Sequence, residues 1–88
     1  MNQAIALDPT YALAYAGLSS SYYDASGFVF PPNEAMPKVR AAAQRAIELD
    51  DSIAEAHVSL AIFKERYELN RAEAIKEFRR ALELAPNL

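Results

Sequence analysis

A short phrase recurs three times along this 88-residue chain. Ala4-Ile5-Ala6-Leu7-Asp8-Pro9 is followed 42 residues later by Ala46-Ile47-Glu48-Leu49-Asp50-Asp51, and 35 residues after that by Ala81-Leu82-Glu83-Leu84-Ala85-Pro86. The flanks repeat in phase. Tyr11-Ala12-Leu13-Ala14-Tyr15 aligns with Ile53-Ala54-Glu55-Ala56-His57, and Leu18 and Leu60 each fall three residues further on. Self-similarity at a period of about 20–50 residues marks a chain of stacked supersecondary units, none of which buries its apolar face alone. That constraint excludes most folds before any composition is counted.

Periodicity makes each unit a pair of helices. Tyr11, Ala14, Tyr15, Leu18 and Tyr22 recur at three- and four-residue steps, as do Ile53, Ala56, His57, Leu60, Phe63 and Tyr67. Each stripe has a partner: Val39, Ala42, Ala43, Ala46 and Ile47 in the first unit, and Ala74, Ile75, Phe78, Ala81 and Leu82 in the second. Asp8-Pro9 suits an N-cap followed by N1, and Ser52 with Glu55 suits a capping box. Glu77 with Arg80, and Arg79 with Glu83, stand at ion-pair spacing on the last helix. The alanines let helices approach closely, and Tyr15, Leu18, Leu60 and Phe78 are expected to fill the space beside them. No segment alternates with a period of two. The expected class is all-α.

Composition narrows the function. Nine Lys and Arg against twelve Asp and Glu give a net charge of −3, the opposite of the basic excess that a nucleic-acid binder presents. Cys is absent and there is one His, so thiolate metal sites, disulfides and cysteine nucleophiles are excluded. The longest apolar stretch, Ala12 to Leu18, falls far short of the roughly 20 residues of a membrane span. Met1-Asn2-Gln3 carries no positive charge of the kind that precedes a secretory leader, so a cytoplasmic location is the expectation. Ser19-Ser20-Ser21 lacks a glycine elbow, and neither a phosphate loop nor a dinucleotide fingerprint is present. His57 falls at a core helix position, which suits a packed ring better than a ligand or an acid–base group. Glu65, Glu68, Glu73 and Glu77 are interspersed with Lys64, Arg66, Arg71, Lys76, Arg79 and Arg80, as on solvated helix faces. No enzyme, no metal and no cofactor are expected.

Taken together, these positions resemble the tetratricopeptide repeat, a helix–turn–helix unit of roughly 34 residues. The first repeat matches the family pattern with Tyr15, Leu18, Ser19 and Tyr22, then Val39, Ala43, Ala46 and Asp51. The second matches with His57, Leu60, Ala61 and Lys64, then Ala74, Phe78, Ala81 and Pro86. The resemblance implies antiparallel helix pairs stacked as a short right-handed superhelix in one domain. Residues 1–9 would be the tail of a preceding second helix, 10–51 the first repeat and 52–88 the second. Several positions depart from the pattern. His57 and Lys64 replace aromatics, Asp51 replaces a proline, and Ala43 replaces a bulky residue, which predicts a thin core in the first repeat. The first repeat also has a long connection at 25–36, where Pro31, Pro32 and Pro37 oppose a continuous helix and Pro37 could open the second helix at N1. Long connections of this kind are similar to those in bacterial multidomain signalling proteins.

The family binds extended or helical peptide segments on the face lined by the first helix of each pair. Carried over by position, the resemblance implies a groove of Leu13, Ala16, Ser20, Tyr23 and Asp24 with Glu55, Val58, Ser59, Ile62, Glu65 and Arg66. The family's carboxylate clamp needs Lys, Asn and Arg where this chain has Ala16, Ser20 and Ser59, so a clamp is not expected. A mixed surface suits an apolar or amphipathic protein segment. The alternative is a solvated face, with self-association as the function of a larger signalling or regulatory protein. Ile5, Leu7, Phe28, Val29, Phe30, Phe78 and Leu82 would then carry the contact, because two helix pairs leave the end stripes uncovered. That partner would be another copy or the neighbouring repeats of a longer chain. Phe28, Val29 and Phe30 admit a second reading, folding back over the alanine-rich helix.

Overall fold

The computed structural model describes residues 9–86. Four helices follow one another: α1 (Pro9–Ala25), α2 (Pro32–Leu49), α3 (Ala54–Arg66) and α4 (Arg71–Leu84). No β-strand forms among the described residues; the one isolated bridge joins Ser26 and Phe30 in the turn after α1. α1 and α2 pack as one hairpin and α3 and α4 as another. α3 lies against both helices of the first hairpin, whereas α4 packs on α3 alone. The chain is therefore all-α, two helical hairpins stacked through α3. Residues 1–8, where the tail of a preceding helix and the Asp8 cap were expected, lie outside the described residues.

Small side chains make the close contacts. Ala12, Ala16, Ala35, Ala43, Ala46, Ala56 and Ala61 are fully buried, and the largest side chains buried to the same degree are Val39 and Ser19. Ala16, Ala46 and Ala56 meet where α1, α2 and α3 converge, flanked by Tyr15, Ile47 and Ile53. Alanine at such a point lets three helix axes approach without a large side chain between them. A second cluster closes the other end of the hairpin: Met36, Val39 and Phe63, with Tyr22 and Tyr23 packed on its edge. Ser19 donates its hydroxyl proton to the Val39 carbonyl at 2.8 Å, so the polar atom buried between α1 and α2 is satisfied.

The buried face of α1 differs from the one expected. Periodicity places Tyr11, Ala14, Tyr15, Leu18 and Tyr22 on the inner stripe, yet Ala12, Ala16 and Ser19 are the buried positions. Tyr15 and Tyr22 are half-buried, and Tyr11, Ala14 and Leu18 are exposed. α1 carries apolar residues around most of its circumference, so size does not identify the inner side. Two neighbours do, because α2 and α3 wedge against it from adjacent directions and small residues fit the seam. Leu18 thus fills no gap, while Leu60 is buried as expected and Phe78 half so.

Helix ends depart from expectation too. α2 begins at Pro32, not Pro37, so the connection expected over 25–36 shortens to 26–31. Pro31 is the extended N-cap, a conformation that a following proline imposes, and Pro32 takes N1 at no cost in hydrogen bonds. Pro37 then sits inside the helix, where it removes one backbone bond. Packing offsets that cost: Met36 before it and Val39 after it both enter the second cluster. Ser52 does not cap α3. Its amide and hydroxyl both donate to the Asp50 carboxylate, at 3.0 and 2.6 Å, and Ile53 takes the cap position without a side-chain bond. The Ser52 hydroxyl, then its amide, holds the Asp50 carboxyl below the usual carboxylate range. Asn70 caps α4, its side-chain oxygen accepting the Glu73 amide at 3.2 Å.

Leu69, in the turn before α4, holds a left-handed backbone with φ 57° and is 81% exposed. That conformation costs a branched side chain free energy that glycine does not pay, and no packing opposes the exchange. Leu69→Gly is expected to raise stability by about 0.5–1 kcal/mol, read as a higher urea midpoint at unchanged slope.

Candidate functional site

Helical spacing puts Glu55, Val58, Ile62, Glu65 and Arg66 along one side of α3, and Leu13, Ser20 and Asp24 along the adjoining side of α1. Leu13 is 56% exposed, and Val58 and Ile62 are partly exposed. The Ser20 hydroxyl reaches the Glu55 carboxylate at 3.4 Å, a weak bond across the two helices. Glu55, Glu65, Arg66 and Asp24 are exposed around these apolar positions. Nine of the eleven expected groove residues are therefore at least partly open. The exceptions are Ala16 and Ser59, buried where the helices touch. They line the seam beneath the face, where small side chains let the helices approach closely.

At one end of this face the structure makes a cleft that the sequence did not reveal. Tyr23 and Asp24 at the end of α1, Met36 and Pro32 at the start of α2, and Arg66 and Tyr67 at the end of α3 surround about 430 Å³, with Ser26 and Phe28 at the rim. Tyr67 stacks on Phe63 at a centroid distance of 5.3 Å, which fixes one wall. Neither Asp24 nor Arg66 has an ion-pair partner among the described residues. Tyr23, Asp24 and Arg66 belong to the expected groove and Phe28 to the expected self-association set; tertiary structure brings them together. Met36 and Tyr67 were missed because a cleft between helix ends leaves no periodic trace. The one available signal was the Pro31-Pro32 pair, which marks a helix start beside the loop.

The three apolar side chains of the Phe28–Phe30 loop differ in exposure. Phe30 folds back, edge-on to Tyr22 at 6.1 Å, with the Lys38 ammonium within 6 Å of both rings. Phe28 and Val29 point outward, 90% and 73% exposed. The loop is nonetheless held firmly. The amides of Phe28 and Val29 both donate to the Ala25 carbonyl, and the Gly27 amide donates to Phe30 at 2.7 Å. Gly27 adopts φ 89°, a turn open chiefly to glycine.

The remaining expected self-association residues lie elsewhere. Leu82 is exposed and Phe78 half-buried on α4, and Ile5 and Leu7 fall outside the described residues. His57 is buried. Its Nδ1 lies 2.7 Å from a Glu77 carboxylate oxygen and its Nε2 2.8 Å from the Asp51 carbonyl. Both ring nitrogens are occupied in tying α3 to α4 and to the turn after α2. Arg80 pairs with Glu83 at 3.6 Å and not with Glu77, whose carboxylate meets His57. Lys64 bonds Glu73 at 3.4 Å across the second hairpin. Lys76, then Lys64, hold the Glu73 carboxyl below the usual range, so whatever stability the cluster adds is present at neutral pH and lost as acid protonates Glu73. Among the described residues no group of three or more potential ligands is placed to hold a metal ion, and no helix is long and apolar enough to cross a membrane. No family model, curated protein or solved structure matches the chain.

Proposed function

We propose that this chain is a tetratricopeptide-like module that binds a protein segment on the α1/α3 face and carries out no chemistry itself. The observation that supports the reading most is the exposure of Leu13 on α1 and the partial exposure of Val58 and Ile62 on α3, two helices that are already packed together. A preformed face with apolar positions among Glu55, Glu65, Arg66 and Asp24 suits an amphipathic helix or extended segment, which would bury its apolar side chains and orient by charge. Rigid helices lower the ordering cost of such binding, and the small area predicts modest affinity.

The test is a selection of peptides on the purified chain, with amide shifts of the labelled protein recorded for each peptide recovered. Shifts centred on Leu13, Val58 and Ile62, abolished by Leu13→Glu with Ile62→Glu in a protein of unchanged helicity, are expected. Peptides that bind the double variant equally well would refute the assignment. The exposure of Phe28 and Val29 on a firmly held loop favours a second reading, in which the chain associates with itself.

A further inference from the structure

We infer that the cleft at the end of the first hairpin is half of a two-fold contact between two copies of this chain, with Phe28 of each copy entering the cleft of the other. The inference rests on the self-association reading and specifies its surface. Three features of one patch are complementary to one another. Phe28 projects almost completely exposed from a loop whose backbone is already hydrogen-bonded, so presenting it costs little ordering entropy. The cleft beside it offers Tyr23, Met36 and Tyr67 as apolar walls around about 430 Å³. Asp24 and Arg66 stand in the same cleft as opposite charges without ion-pair partners among the described residues.

A two-fold axis requires a surface that complements itself: if residue i of one copy meets residue j of the other, j also meets i. A projecting aromatic beside an apolar hollow meets that condition, and so does a carboxylate beside a guanidinium. Each Asp24 would face the Arg66 of its partner, giving two ion pairs flanking two buried rings. An unrelated partner would have to supply a matching knob, hollow and charge pair; a second copy supplies all three.

Charge exchange tests the geometry. Sedimentation of the whole chain from about 1 µM to about 1 mM should show a monomer–dimer equilibrium. Asp24→Arg alone and Arg66→Asp alone each set like charges against one another and should weaken the dimer at least tenfold. Mixing the two single variants should restore a dimer containing one chain of each, because every exchanged charge then meets its opposite. Phe28→Ser, at a side chain that touches little in the monomer, should weaken the dimer independently. A wild-type chain that stays monomeric throughout would overturn both the cleft contact and the self-association reading. A dimer that persists through Asp24→Arg, Arg66→Asp and Phe28→Ser would overturn the cleft contact alone and move the interface elsewhere. Peptide binding is judged separately by Leu13→Glu with Ile62→Glu, because Asp24 and Arg66 border that face as well as the cleft.

Discussion

Phe63→Ala is expected to cost about 3–5 kcal/mol of stability, the range for truncating a buried aromatic. Phe63 is only 4% exposed and joins three helices: it meets Met36 and Val39 of α2, has Tyr22 and Tyr23 of α1 on its flank, and supports the Tyr67 ring. Removing the ring leaves Met36, Val39 and the flanking tyrosines around an unfilled space between three helices. A domain of this length has on the order of 4–13 kcal/mol in total, so the variant should be largely unfolded well below the melting temperature of the parent. Urea unfolding followed by circular dichroism reads the difference directly. A loss under about 1 kcal/mol would mean that the second cluster does not hold the hairpins together.

The second large effect concerns Ala16. Were it part of an open groove, as its position in the repeat implied, Ala16→Leu would be neutral or would strengthen peptide binding. It is instead fully buried against Ala46 and Ala56. Three extra carbons there must push α1 away from α2 and α3, at an expected cost of about 1–3 kcal/mol. Leu13→Ala, three residues earlier on the exposed side of the same helix, should change stability by no more than about 0.5 kcal/mol. Thermal unfolding of the pair decides whether α1 is oriented as described. Equal stabilities would place Ala16 on the surface.

α2 was the most legible element. Its expected Val39, Ala42, Ala43 and Ala46 are all buried, because Lys38, Arg40 and Glu48 leave only one side apolar. α1 was the least legible, since Leu13, Leu18 and four tyrosines surround it with apolar surface and nothing local ranks one side above another. Ser52 illustrates the same limit at a helix end. Its motif was correct for a cap, but Asp50 two residues earlier competes for the same hydroxyl and obtains it. Half of the candidate surface was readable for a related reason. Leu13, Val58 and Ile62 follow from position within a repeat, whereas the cleft joins Asp24, Met36 and Arg66 from three helices at no fixed spacing.

Repeat phase and the 3.6-residue period determined by themselves that this chain forms helices in pairs, since both depend only on spacing along the chain. Which side of α1 lies inward, how His57 is satisfied and where the cleft opens were decided by tertiary structure. Those outcomes depend on which helix arrives beside which, and on the small residues that let them meet. Packing of that kind is a property of three helices at once, and no window of consecutive residues contains it.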